Sequence, residues 1–216
     1  MVIKKVNQEP EKLWDLVVFI DGPNFNGVQQ LLEVSIDFKK LYKFLVGDAK
    51  SVVVRYHTQK PTSSGAEGFL KFLSSNGYQV VVTPEGDVDQ TLLSDVQEFA
   101  PKASKVVLVG GDSDYIKPFA DASTSGTAVT VYGTSDTVAA DYHGISEVVY
   151  FDDFIDQIID IGKTRRREQI RREDTSLLPG ATEIGSLLAL GQRISVETRP
   201  DANEIIIRIK LSNGSA

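Results

Sequence analysis

Three short acidic segments follow apolar runs in this sequence, and they hold the residues best suited to chemistry. The acids are Asp21, Asp87, Asp89, Asp112 and Asp114, after apolar runs at 16–20, 78–82 and 105–109. None of the three segments contains a histidine, and the chain has no cysteine. Oxygen ligands without softer partners favour Mg²⁺ or Mn²⁺, which bind carboxylates and retain water. Such a metal holds phosphate oxygens and activates water, so these residues indicate phosphoryl-transfer chemistry.

Helix capping is the other interpretation of these acids. An aspartate directly after a strand often accepts a hydrogen bond from the first turn of the next helix. Capping explains any one of them more easily than it explains all of them together. Several carboxylates at one edge would repel one another unless a cation lay among them. We therefore predict that Asp112 binds a metal, while Asp114 is either a second ligand or a cap.

The apolar runs read as strands that alternate with helices. They are rich in valine and do not alternate with polar residues, which is typical of strands buried on both faces. The predicted strands are 16–20, 51–56, 78–82, 105–109, 128–132 and 147–151, and helical patterns lie at 36–45, 66–77, 88–100 and 114–126. The prediction is an α/β fold with a doubly wound, mainly parallel sheet flanked by helices.

In such a sheet, ligands bind beyond the carboxyl ends of the strands. If the strand order is the common one, the first and fourth strands are neighbours at the centre. Asp21 and Asp112 would then lie side by side, and Asp89 would approach from the flank at the start of its helix.

Three motifs resemble the NYN domain family of the PIN-like nuclease superfamily. They are IDGPNF at 20–25, VDQTLLSD at 88–95 and GGDSDYIKPF at 110–119. The resemblance covers about residues 15–160 and implies a PIN-like α/β domain that cleaves RNA with Mg²⁺ or Mn²⁺. Position by position, it implies metal or catalytic roles for Asp21, Asn24, Asp89, Asp95, Asp112 and Asp114.

The two helix acids of the second motif are not equivalent. Asp89 and Asp95 are six residues apart, which places them about 120° apart around a helix and about 9 Å apart along it. Both cannot face one metal squarely. Asp89 is the better ligand candidate, and Asp95 would act through water or bind a backbone group.

A basic run is the candidate surface for the RNA. The formal net charge of −7 argues against broad, nonspecific nucleic-acid binding. Residues 163–172 nevertheless carry six basic residues in ten. The predicted substrate-binding residues are Ser113, Arg165, Arg166, Arg167 and Arg171. The alternatives are a helix cap for Ser113 and a solvated helix face for the arginines.

The sequence divides into three parts. Residues 1–162 form the predicted NYN/PIN-like domain, 163–174 a basic helical linker, and 175–216 a small helix with a β-hairpin. The hairpin turns at 200–203 between two alternating strands. Two strands with one apolar face need a partner. The hairpin must therefore pack on the main domain, on a second copy in a homodimer, or on another protein.

Composition indicates in which cellular compartment we expect this protein. The absence of cysteine is typical of an intracellular protein. No stretch approaches the roughly 18 apolar residues of a membrane helix. We expect a cytoplasmic protein with no membrane partner.

Three functions fit these observations. The first is a metal-dependent endoribonuclease acting on RNA, predicted to be single-stranded. The second is a phosphatase of the haloacid dehalogenase type, whose late acidic motif is similar to GDSD. That chemistry needs a second aspartate two residues after the nucleophile, where this chain has Pro23. The third is a non-catalytic RNA-binding or regulatory scaffold, favoured by the extra acids Glu85 and Asp87 where the family often has a basic residue.

Overall fold

A computed structural model describes residues 12–84, 87–166, 193–199 and 204–210 of the chain. The chain forms two compact units, Met1–Ile161 and Gly162–Ala216. The predicted domain limits at 162 and 174 remain predictions.

The first unit is built on a parallel sheet of six strands in the order β3-β2-β1-β4-β5-β6. The strands are β1 (Trp14–Asp21), β2 (Val52–Gln59), β3 (Tyr78–Thr83), β4 (Ala103–Val109), β5 (Ala128–Gly133) and β6 (Glu147–Tyr150). β1 and β4 are hydrogen-bonded neighbours at the centre of the sheet, as predicted. The predicted doubly wound α/β fold is confirmed.

Helices connect the strands, and polar caps begin most of them. They are α1 (Gly22–Leu31), α2 (Phe38–Val46), α3 (Ser64–Ser74), α4 (Val88–Phe99), α5 (Ile116–Thr124) and α6 (Ile155–Ile158). Asp37, Ser63 and Asp87 each accept a backbone hydrogen bond from the first turn of the helix that follows. Short 3₁₀ turns lie at Ala100–Lys102, Ser113–Tyr115, Ala140–Gly144 and Phe151–Asp153.

The helices bury both faces of the sheet. One core holds Val18 and Ile20 of β1 together with residues of α1, α2, α3 and α6. The other core holds Val17 and Phe19 together with residues of α4 and α5. Consecutive residues of β1 point to opposite faces, and residues 16–21 are all buried, which explains the unbroken apolar run at 16–20. Asp21, the last residue of β1, is the one acidic residue of this strand that is buried.

One connection differs from the sequence-based expectation. No helix was predicted directly after β1, but α1 begins directly after Asp21, with Pro23 in its first turn. Proline is well tolerated there because the first turn has no intrahelical partner for its amide. The helical chain that follows β6 is interrupted. α6 ends at Ile158, Ile159 pairs with Ile36 in an isolated bridge, and a new helical segment covers 161–166.

In the second unit, β7 (Arg193–Arg199) and β8 (Glu204–Lys210) pair in antiparallel register. The two strands of the predicted hairpin therefore pair as expected, and the predicted turn at 200–203 lies outside the described residues. The apolar helix expected before the hairpin also lies outside the described residues. Within the part of the chain that the structure describes, no helix is both long and apolar enough to cross a membrane.

Gly111 shows how tightly the loop after β4 is packed. A Cβ atom at this position would lie 2.4 Å from the main-chain oxygen of Thr137 and 2.7 Å from Cα of Val138. Both neighbours are backbone atoms, so they cannot move aside cheaply. At Gly27, in α1, an added Cβ would meet nothing within 4 Å.

We predict that Gly111→Ala lowers the free energy of unfolding by about 2–3 kcal/mol because of this overlap. The matched variant Gly27→Ala should raise it by up to about 1 kcal/mol, since alanine favours a helix interior. Urea denaturation of both variants checks the prediction. Equal stabilities for the two would contradict the packing described for Gly111.

Candidate active site

Acidic side chains gather where β1, β4 and α4 meet at the carboxyl edge of the sheet. Ile20 of β1 lies opposite Val109 of β4. The segments that follow β1 and β4 are therefore neighbours where they begin. A Cβ atom at Gly110 would lie 3.4 Å from Cβ of Asp21. α4 packs on β1 and β2 and brings Asp87 and Asp89 to the same edge in its first turn.

Asp21 is the most buried of these acids, with 4% of its surface exposed. Its Oδ1 atom accepts a hydrogen bond of 3.0 Å from the backbone amide of Asn24, so Asp21 caps α1. Its Oδ2 atom accepts one of 2.9 Å from the hydroxyl of Tyr115. Burial raises the pKa of Asp21, these two hydrogen bonds oppose the rise, and the charges of Asp112 and Asp87 add to it.

Asp89 lies beside Asp21 and contacts the same tyrosine. The Tyr115 hydroxyl oxygen is also in hydrogen-bond contact with Oδ1 of Asp89. Partial burial raises the pKa of Asp89, and the charges of Asp87 and Asp21 contribute. A hydroxyl carries one proton, so it can donate to only one of the two carboxylates at a time. Tyr115 is fully buried, and burial raises its pKa far above the usual value, so it keeps that proton.

The loop after β4 distinguishes Asp112 from Asp114. Asp112 caps the 3₁₀ turn, because its Oδ1 atom accepts a hydrogen bond of 3.1 Å from the backbone amide of Asp114. The main-chain oxygen of Asp112 accepts another, of 2.6 Å, from the hydroxyl of the buried Tyr142. Asp112 is half-buried, whereas Ser113 and Asp114 are exposed. The cap is thus Asp112, not Asp114.

Asn24 contributes an oxygen without a partner. Its Oδ1 atom is buried, yet no residue that the structure describes donates a hydrogen bond to it. The atom lies 3.8 Å from the place that a Cβ at Gly110 would take, so it is directed at the joint between β1 and β4. A buried carbonyl without a donor costs about 1–3 kcal/mol, and such atoms often serve a ligand.

Asp95 is engaged elsewhere. Its Oδ2 atom lies 2.5 Å from Nε of Arg55, whose guanidinium covers the ring of Phe99 at 4.6 Å. The same oxygen lies 3.2 Å from Nε2 of His57 but in poor hydrogen-bond geometry. Burial, followed by the charge of Arg55, lowers the pKa of His57 to about 3, so its ring is neutral. The structure pairs Asp95 with Arg55 rather than with Asp21 and Asp89, and its role as a metal ligand remains a prediction.

The acids do not form a ready-made metal cluster. Among the described residues, no three histidine, cysteine, aspartate or glutamate side chains are grouped so that they could hold an ion. The donor set nevertheless fits a hard cation. Asp21 and Asp89 are neighbouring carboxylates, and the charge of Asp112 raises the pKa of Asp21. Asn24 adds a buried amide oxygen without a donor. All of these groups offer oxygen ligands.

The predicted RNA-binding arginines belong to the second unit. Arg165 and Arg166 are exposed in the helical segment 161–166. Arg167 and Arg171 lie outside the described residues. Their roles remain predictions.

Comparisons with known proteins give the same fold. A family model for the NYN domain matches residues 15–155. A solved structure of a protein of unknown function from Vibrio parahaemolyticus is similar, with a TM-score of 0.61 and 19% identity. The match covers 70% of this chain and 99% of that chain. Among curated proteins, none matches significantly.

The buried charge of Asp21 gives a prediction for the metal-free protein. Burial raises the pKa of Asp21 in the folded state above its usual value of 3.8. The folded state therefore holds this proton more tightly than the unfolded state. It loses that stability as pH rises from about 3.8 through the folded pKa.

Asp21→Asn removes the charge but keeps a capping oxygen, since asparagine caps helices as well as aspartate does. In EDTA at pH 7.5 we expect a gain on the order of 1 kcal/mol in the free energy of unfolding. The gain should disappear near pH 3.5, where wild-type Asp21 is mostly protonated in both states. Denaturant titrations at the two pH values measure it. A variant less stable than wild type at pH 7.5 would contradict the electrostatic account.

Proposed function

The chain belongs to the NYN domain family of PIN-like nucleases, and from this premise we propose that it is a Mg²⁺- or Mn²⁺-dependent endoribonuclease. The observation that carries the proposal is the environment of Asp21. Asp21 is 4% exposed and has Asp89 beside it, while the charge of Asp112 raises the pKa of Asp21 further. Within the described residues no lysine or arginine forms an ion pair with any of the three. A divalent cation would supply the missing positive charge.

In this proposal Asp21, Asp89 and Asp112 hold the metal. Asn24 contributes its unpartnered Oδ1 atom, and Asp114, exposed on the same turn, ligates directly or through water. A bound Mg²⁺ or Mn²⁺ would polarise the phosphodiester and activate the water that attacks it, leaving a 3′-hydroxyl and a 5′-phosphate. Burial of Asp21 and the capping bonds of Asp21 and Asp112 keep these carboxylates in place.

Substrate contact is assigned to groups with hydrogen-bond donors. Ser113 is exposed between two of the proposed ligands, so its hydroxyl can donate to a phosphate oxygen. Arg165, Arg166, Arg167 and Arg171 would bind phosphates of a single-stranded RNA. A cytoplasmic location and a homodimer formed through the hairpin complete the proposal.

A non-catalytic scaffold is the second candidate. One observation favours it: the described acids do not form a ready-made group of three metal-binding side chains. Such a protein would bind RNA and leave it intact, with or without metal. Cleavage of RNA by the purified chain separates the two candidates.

We predict that Asp112→Asn lowers the rate of RNA cleavage in Mn²⁺ by about 100-fold or more, because one ligand charge at the reacting phosphate is lost. The assay uses a fluorescent single-stranded RNA, with EDTA and the corresponding DNA as further arms. Asp121→Asn is the matched control, since Asp121 lies on the exposed surface of α5 paired with Lys117. It should cleave within about twofold of wild type.

Cleavage that survives Asp112→Asn unchanged would contradict the proposed site. Wild-type protein that binds the RNA but never cleaves it, in Mg²⁺ or in Mn²⁺, would favour the scaffold.

A further inference from the structure

Tyr115 occupies a position between the proposed metal ligands that the reaction itself does not explain. It ends the 3₁₀ turn that follows Asp112, and its side chain is 0% exposed. The ring belongs to the core between the sheet and the helices α4 and α5. A ring packed in a core at native density has little freedom to move, so the place of its hydroxyl is fixed by the core.

The hydroxyl joins two carboxylates from distant parts of the chain. Asp21 ends β1, 94 residues before Tyr115, and Asp89 begins α4, 26 residues before it. Tyr115 itself lies on the segment that carries Asp112. The hydroxyl oxygen of Tyr115 thus contacts Asp21 and Asp89, two of the proposed ligands. Tyr115 is only three residues after Asp112, the third.

Without this hydroxyl, little else would hold the two carboxylates close together. Asp21 keeps its bond to the amide of Asn24. Asp89 is only half-buried, and apart from Tyr115 its described hydrogen-bond contacts are with Asp87, one through its backbone amide and one through its carboxyl group. Two like charges in a poorly solvated place repel, and the less constrained side chain would turn towards solvent.

We propose that Tyr115 is a positioning residue: its fixed hydroxyl, donating to Asp21 or to Asp89 in turn, keeps the two carboxylates close enough for one divalent cation to meet both. The inference rests on the proposed function, since it assumes that these two residues bind the metal. Preorganised ligands bind more tightly because less conformational freedom is lost on binding. The hydroxyl acts on the affinity for the metal and has no part in the chemical step.

The test compares Mn²⁺ binding by wild type, Tyr115→Phe and Tyr78→Phe in calorimetric titrations. Phenylalanine fills the same buried space and lacks only the hydroxyl. Tyr78 is the matched control: it is also buried, and its hydroxyl donates a 2.7 Å bond to the main-chain oxygen of Phe38, at the opposite edge of the sheet. We expect about tenfold weaker Mn²⁺ binding for Tyr115→Phe and a wild-type affinity for Tyr78→Phe.

Two further measurements separate positioning from other roles. In an Asp89→Ala background, Tyr115→Phe should have no additional effect on Mn²⁺ affinity, because the residue through which it acts is gone. In the nuclease assay, the deficit of Tyr115→Phe should disappear at saturating Mn²⁺.

Equal Mn²⁺ affinity for Tyr115→Phe and wild type would overturn the inference while leaving the proposed function intact. A deficit that persists at saturating Mn²⁺ would also overturn it, since Tyr115 would then act in the chemistry. So would failure of Tyr115→Phe to fold where Tyr78→Phe folds, because the hydroxyl would then serve the fold. Wild-type protein that binds no Mn²⁺ at all would remove the proposed function together with the inference.

Discussion

The burial of one negative charge is the constraint on which this edge of the molecule depends. Asp21 ends the central strand of a parallel sheet and is covered by α1 and by the loop after β4. Its two oxygens accept one backbone and one hydroxyl hydrogen bond, and its acidic neighbours oppose its ionisation. A fold selected for stability alone would place a neutral group there. Strain of this kind is typical of a functional site.

The two acids of α4 show what a cation changes. Asp95 has a cation partner within the chain, Arg55. The guanidinium of Arg55 also packs on the ring of Phe99 and donates a hydrogen bond to Gln79. Asp89, six residues earlier, contacts the hydroxyl of Tyr115 and the carboxyl group of Asp87, and the negative charges of Asp21 and Asp87 lie nearby. One helix thus carries an acid that is already compensated by Arg55 and an acid that, in the proposed function, an external cation would compensate.

Much of this arrangement follows from the sequence because it depends on local patterns. The valine-rich runs predict the strands, and the rules for parallel sheets place Asp21 beside the segment of Asp112. The partners of side chains do not follow from such patterns. Arg55 contacts Asp95, 40 residues later in the sequence, and Tyr115 contacts Asp21, 94 residues earlier. Only the packing of the core determines how these side chains are oriented. Helix α1 was missed because glycine, proline and asparagine are typical of turns, although all three are acceptable in a first helical turn.

A crystal structure of the wild-type chain grown in Mn²⁺ tests the central claim most directly. Anomalous scattering at the manganese edge locates the ion independently of its ligands. The account predicts one strong peak in contact with carboxylate oxygens of Asp21 and Asp89, on the side of Asp112 and Asn24, while Asp95 stays paired with Arg55. A peak away from Asp21, or no peak at an Mn²⁺ concentration that supports RNA cleavage, would contradict it.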